Sequence, residues 1–284
     1  MTIIKTKYSF LIIFLLVSTS FSQFKKSQPE SRLSPISKIY RGFEKSTEWY
    51  DVPILAAYFL RNTINPQNLG DKIYADPMDT ERKFANQFNG GSSSLGSMDK
   101  DLIPNTIFFS RIAINFGLDL FTDVEISDKS YQKIFTFNKS LLYTYIFTEY
   151  VKSLVKRTRP DGSDDRSFFS GHTSTTFAAA TFLYKELHDA YNNWNYLNDK
   201  PILHTAAETL SFGVLYGWAG YVGYSRIHDR RHYISDVIVG ALVGTAISYF
   251  VYEGYFGERD SILNNFSLRT LGKDLAIDFR LNLL

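Results

Sequence analysis

The 284-residue sequence contains no cysteine, which excludes disulfides, thiolate chemistry, cysteine zinc sites and attachment of a lipid to an N-terminal cysteine. Stability must therefore come from packing. The sequence also lacks an excess of charge: 31 basic and 29 acidic side chains leave +2. No global field recruits nucleic acid, and any recognition of an anion has to be local. Long apolar runs are missing too. A membrane span takes about 20 mainly apolar residues, whereas the best run beyond the amino end, Val237 to Tyr252, is shorter, and other apolar segments carry charges such as Arg111 and Glu149. This favours a soluble or membrane-peripheral protein over an integral one.

What is present is a large share of apolar side chains, 44 % of the total with 16 % aromatic, enough for one packed core. The amino end, with Lys5 and Lys7, an apolar stretch from Tyr8 to Val17 and then Ser20-Phe21-Ser22, has the three parts of a secretory signal. Residues 1–22 are read as that signal, which implies export to the periplasm. Residues 23–100 form an amino-terminal extension: a polar leader to about Ser37, a helix over Thr47 to Asn62, and a long surface loop between Asn65 and Pro104. From Ile107 onward, apolar residues recur at three- and four-residue intervals through Ile112, Phe116 and Leu120, and again from Leu141 through Tyr145 to Leu154. Three further segments, Thr175 to Leu187, Ala206 to Tyr224 and Ile234 to Tyr252, complete an all-α class, a single helical bundle over residues 101–255. In the tail, residues 256–284, Leu275, Ile277, Phe279, Leu281 and Leu283 alternate with polar neighbours and predict one short strand.

Three clusters carry chemistry. In Lys152-Ser153-Leu154-Val155-Lys156-Arg157-Thr158-Arg159-Pro160, Lys152 and Arg159 stand seven apart, so a helix would bring them to nearly one face and, because of Pro160, end near Arg159. In Ser170-Gly171-His172-Thr173, small hydroxyl residues ahead of an apolar run mark a helix start, whose free amides bind anions, and Gly171 lets the backbone approach a ligand. In Ser225-Arg226 followed by His232 and Asp236, the last two stand four apart, so that a carboxylate can hold one ring nitrogen while the other faces substrate. Each cluster alone has a structural explanation. Together they supply cations, an amide cradle, two histidines and an orienting carboxylate, which suffices for phosphoryl transfer without a metal or other cofactor. His188, His204 and His228 belong to no such pattern and are read as structural or surface groups.

The three clusters resemble the signature motifs of the type 2 phosphatidic acid phosphatase superfamily, which includes lipid phosphatases, bacterial nonspecific acid phosphatases and vanadium haloperoxidases. Lys152, Arg159 and Pro160 match the first motif, Ser170, Gly171 and His172 the second, and Ser225, Arg226, His232 and Asp236 the third; Phe169 replaces the proline of the second. The resemblance covers about residues 100–255. It implies a helical bundle of the acid phosphatase/vanadium haloperoxidase type, with His232 as nucleophile, Asp236 fixing its tautomer and His172 as acid and then base. Lys152, Arg159, Ser170, Gly171 and Arg226 would bind phosphate. The implied substrate is a phosphorylated lipid, met at a membrane surface, or a small phosphomonoester, with no nucleic acid involved. A vanadium-dependent haloperoxidase and a noncatalytic binder of phospholipid or phosphate are the competing readings. Opposite protonation of the two histidines would give a bell-shaped pH profile.

Overall fold

A computed structural model describes residues 25–26, 33–60, 73–91, 102–257, 266–271 and 274–279. The signal segment, residues 1–22, lies outside the described residues. Among those described the chain runs β1 (Lys25–Lys26), α1 (Pro35–Ser46), α2 (Asp51–Leu60), β2 (Ile73–Tyr74), α3 (Asp79–Ala85), α4 (Leu102–Phe121), β3 (Val124–Glu125), α5 (Asp128–Leu154), β4 (Val155–Lys156), α6 (Gly171–Asn192), α7 (Asn195–Asn198), α8 (Pro201–His228), α9 (Ile234–Phe256), β5 (Phe266–Leu271) and β6 (Asp274–Phe279). The class is all-α, as the periodicity predicts.

Helix α6 is the centre of the bundle, with α5, α8 and α9 packed around it. Its sequence suits that place: Ala178, Ala179 and Ala180 are fully buried and let neighbours come close, while Phe182, Leu183 and Leu187 fill the core with Ile107, Phe137, Leu215 and Tyr252. Ser170 caps α6, its hydroxyl accepting from Thr173 N at 3.4 Å. Helix α9 presses on α6 at two glycines one turn apart. A Cβ on Gly240 would lie 2.8 Å from the Ser170 carbonyl oxygen, and one on Gly244 2.0 Å from that of Ser174. Only glycine permits this approach, and it brings the start of α9 against the start of α6.

Five expectations need correction. The polar leader is not a leader throughout: α1 starts at Ser34, whose hydroxyl accepts from Ser37 N at 3.3 Å, with Pro35 in its first turn. It docks through a buried Lys38–Asp119 ion pair of 2.8 Å, an attachment no apolar pattern reveals. The supposed loop between Asn65 and Pro104 contains β2, α3 and the start of α4. The helix expected to reach Arg159 ends at Leu154, because Val155 and Lys156 pair in parallel with Ile73 and Tyr74 instead. The lone tail strand is one arm of a hairpin in which β5 and β6 run antiparallel from Phe266↔Phe279 to Leu271↔Asp274. Finally, α9 is longer than its apolar core suggested: all 23 residues of Ile234–Phe256 make a helix long and apolar enough to cross a membrane, with 22 % of its apolar window buried.

The α6–α9 approach yields a test. Gly244→Ala should destabilise the fold by about 2–3 kcal/mol or more, since its methyl meets backbone that cannot yield, whereas Gly254→Ala, with nothing within 4 Å of the new Cβ, should be neutral or slightly stabilising in urea unfolding.

Candidate active site

The bundle brings the three sequence clusters to one end. There the C-terminus of α5, the N-terminus of α6, the C-terminus of α8 and the turn before α9 surround a cavity of about 460 Å³ lined by Lys152, Arg159, Gly171, His172, Arg226 and His232, among others. Lys152 reaches it from the last turn of α5, and Arg159 arrives by the extended segment after it rather than along the same helix face. A Cβ at Gly171 would lie 3.5 Å from Lys152 Nζ, which places that ammonium over the first residue of α6, where free amides and the helix dipole already favour an anion.

His232 is not on the helix that carries Asp236. It sits in the turn ahead of α9, in which Asp236 is the third residue. The buried imidazole is held through Nδ1, 2.7 Å from the Ser167 carbonyl oxygen. A carbonyl can only accept, so Nδ1 carries the proton and Nε2 keeps its lone pair. The direct orienting contact is thus the Ser167 backbone. The nearer Asp236 oxygen lies 3.8 Å from Nδ1, outside hydrogen-bond reach, and acts on the ring through its charge.

Asp236 is itself fully buried and fully engaged. Its Oδ1 accepts from Arg157 Nη1 at 2.5 Å, and its Oδ2 accepts from the Ser167 hydroxyl at 2.5 Å and from Tyr233 N at 2.9 Å. Burial pushes this carboxyl up, but the adjacent His232 ring, the Ser167 hydroxyl and the Arg157 guanidinium outweigh it and hold the group below the usual carboxylate range. For His232 burial wins: desolvation takes the imidazole down from 6.5 to about 4 against the pull of Asp236, helped by Lys152 and Arg159. The ring is therefore neutral at physiological pH.

The other expected site residues divide. His172, half-buried, and Gly171 line the cavity. Arg226 lines it from the end of α8, where its Nη2 donates to Asp229 at 2.7 Å. Ser170 is fully buried and its hydroxyl serves the helix cap, accepting from Thr173 N and Thr173 Oγ1, while its own N donates to the Asp236 carbonyl oxygen at 3.0 Å. Three residues with a part in the site escaped sequence reasoning. Arg157 lies inside the first cluster, Ser167 just before the second, and Glu81 in the supposed loop. The first carried a weak signal, a third basic residue beside Arg159; the other two carried none. At the rim, Arg166 pairs with Glu149 at 2.7 Å and Arg231 with Asp161 at 2.8 Å. Of the remaining histidines, His188 contacts Glu208 at 2.6 Å and His204 contacts Asn192 at 3.1 Å, while His228 packs on Phe88 and Tyr224 and lies 3.3 Å from Asp229 Oδ1, at the edge of the cavity.

Because the folded ring resists protonation until about pH 4 while the unfolded one takes a proton near 6.5, the unfolded chain binds more protons in that window, and stability falls as pH drops through it. The loss attributable to His232 is on the order of 3 kcal/mol. Urea unfolding at pH 7 and pH 4.5 should show a loss in the wild type that exceeds that of His232→Asn by about 2–3 kcal/mol.

Comparison with known proteins agrees with this geometry. The PAP2 superfamily model matches residues 134–260. Among curated proteins, the lipid A 1-phosphatase of Porphyromonas gingivalis is 36 % identical over 96 residues, 34 % of this chain and 18 % of that protein. Lipid phosphate phosphatase 1 of Arabidopsis thaliana is 38 % identical over 94 residues, 32 % of this chain and 26 % of that protein. Diacylglycerol pyrophosphate phosphatase 1 of Saccharomyces cerevisiae is 26 % identical over 151 residues, 42 % of this chain and 50 % of that protein. The chain thus spans half or less of the length of these relatives. No solved structure matches. The matched segment, which is similar to the PAP2 superfamily, holds all three sequence clusters and the residues by which they line the cavity.

Proposed function

We propose that this chain is a metal-independent phosphatase that removes a phosphomonoester or pyrophosphate group from a lipid through a phosphohistidine on His232. The observation that carries the reading is the His232 imidazole at the cavity wall: with Nδ1 on the Ser167 carbonyl, Nε2 is the ring nitrogen left to meet a ligand. Lys152, Arg159 and Arg226 gather the phosphoryl oxygens, the two arginines with a planar fork suited to them.

As Nε2 forms its bond to phosphorus, the bond to the leaving oxygen breaks and its electron pair departs with that oxygen, which takes a proton from His172. The ring, still holding the Nδ1 proton, becomes cationic and is stabilised by Asp236. Neutral His172 then takes a proton from water as the oxygen attacks phosphorus, which releases phosphate and returns the lone pair to Nε2.

A lipid substrate is supported by the names of the three relatives and by the surface next to the cavity. Helix α8 ends and helix α9 begins there, and along their length they expose Leu210, Phe212, Tyr221, Ile238, Leu242 and Phe250. A bilayer or micelle lying along these faces would present a phosphorylated headgroup to the cavity. Export is supported by the basic and apolar pattern of residues 1–22.

The test is phosphate release from dioctanoyl phosphatidic acid, diacylglycerol pyrophosphate, a lipid A phosphate and glycerol 3-phosphate. Release should survive EDTA, fall with vanadate and drop by about a thousandfold or more in His232→Asn, as for loss of a nucleophile. With buried acyl methylenes contributing about 0.8 kcal/mol each, kcat/KM for the best lipid should exceed that for glycerol 3-phosphate by more than about tenfold; equal values would replace the lipid reading with a soluble phosphomonoesterase.

A further inference from the structure

The segment from Ile73 to Gly91 lies outside the matched residues 134–260, yet it reaches the site through Glu81 and Gly91. It enters by pairing β2 with β4, with Ala75 N donating to the Lys156 carbonyl oxygen at 3.0 Å. It then turns into α3, and beyond that helix Asn86 Oδ1 accepts from Arg230 Nη2 at 2.9 Å, Phe88 packs on His228, and Gly91 reaches the cavity. At its centre Glu81 is buried, at 7 % exposure. One oxygen, Oε2, accepts from Arg157 Nη2 at 2.6 Å and from Met78 N at 3.1 Å; the other, Oε1, accepts from Ser235 N at 3.1 Å.

Arg157 is thereby shared. Its Nη2 goes to Glu81, and its Nη1 goes to Ser235 Oγ at 2.7 Å and to Asp236 Oδ1 at 2.5 Å, while the guanidinium lies 4.9 Å from the centre of the Tyr233 ring. We propose that Glu81 is a positioning residue for the nucleophile: by neutralising Arg157 it leaves the three-group cluster with one net negative charge, and so keeps Asp236 effective beside the His232 ring. This rests on the phosphohistidine reading.

The argument is one of charge. An Arg157–Asp236 pair alone is neutral as seen from the imidazole, and would do little for a ring that turns cationic on phosphorylation. With Glu81 the sum is −1, in a site where little water screens it. Burial by itself would push the Glu81 carboxyl up, but the bonds from Ser235 and Met78 and the Arg157 charge hold it down, so the carboxylate is charged at working pH. A glutamine keeps only part of this attachment, because its one amide oxygen accepts while its NH2 cannot accept from Arg157 Nη2 or Met78 N, so the order of titration across the variants, not Glu81→Gln alone, separates a role through charge from one through hydrogen bonds.

The test uses the full chain as wild type, Glu81→Gln, Arg157→Gln and the double variant, with two readouts. The first is the His232 imidazole titration followed by NMR, which needs no turnover. The charged and titratable groups around that ring are Asp236 on α9, Glu149 and Lys152 on α5, His172 on α6, Arg226 and Asp229 at the end of α8, and Arg159, Arg166 and Arg231 from the connecting segments, all unchanged across the set. The cluster charge is −1 in the wild type, 0 in Glu81→Gln, −2 in Arg157→Gln and −1 again in the double variant. The titration point should therefore be lowest in Glu81→Gln, highest in Arg157→Gln, and restored in the double variant, in which Asp236 keeps its charge and its bonds from the Ser167 hydroxyl and the Tyr233 amide. The second readout is kinetic: Glu81→Gln should lose about ten- to hundredfold in kcat with KM nearly unchanged, as outer partners of reactive groups do, and the double variant should recover much of it.

A Glu81→Gln protein with wild-type kcat, or a titration that ignores the cluster charge, would overturn the proposal. Should Glu81→Gln fail to fold, Arg157→Gln against the double variant carries the same comparison. If the wild type releases no phosphate from any substrate, the phosphatase reading fails, while the titration order still decides whether Glu81 sets the charge at His232.

Discussion

A carboxylate with no exposed surface has to be satisfied where it lies, and most of the site follows from satisfying Asp236. Its four contacts come from three directions: the Arg157 guanidinium from the segment after α5, the Ser167 hydroxyl from the segment before α6, the Tyr233 amide from the turn into α9, and the His232 ring at 3.8 Å. Each contact fixes the backbone that bears it. Ser167, held by its hydroxyl, presents its carbonyl to His232 Nδ1, so the tautomer of His232 is set at one remove by the same carboxylate. An unpaired buried charge costs several kcal/mol, which makes the arrangement an all-or-none one.

Packing places that carboxylate. The glycines at 240 and 244 let α9 close on α6 until Ser170 N can donate to the Asp236 carbonyl oxygen, so the two helix starts are fastened by backbone as well as by side chain. Two N-termini meeting at one point, with Lys152 above the first residue of α6, leave a region short of negative charge that an anion completes. Desolvation in the same place strips His232 of its proton, and a neutral ring with one committed nitrogen has the form a nucleophile requires.

The helical class and the core helices were legible because their apolar residues recur with a helical period, and the residues around the cavity because charged and hydroxylated side chains stand at fixed spacings near helix ends. What was illegible has a common cause. Helices α1 and α3 are attached through buried ions, Lys38 to Asp119 and Glu81 to Arg157, and a charged residue buried by its partner looks like a surface residue in sequence. The end of α5 was misplaced because a strand pairing with Ile73 and Tyr74, some 80 positions away in the chain, competes with the helix at Val155. The tail hairpin was half seen because β5, with Arg269 and Thr270 side by side, lacks the alternation that β6 shows.

Which groups are available is already written in the chain: no thiol, a balanced charge, two histidines, a carboxylate and cations in three clusters, with helices to carry them. Those follow from composition and local periodicity. Packing settles the rest: which oxygen meets His232 Nδ1, that Ser170 serves the helix cap, and that Arg157 and Glu81 join the surroundings of His232, because these depend on distances between segments far apart in the chain.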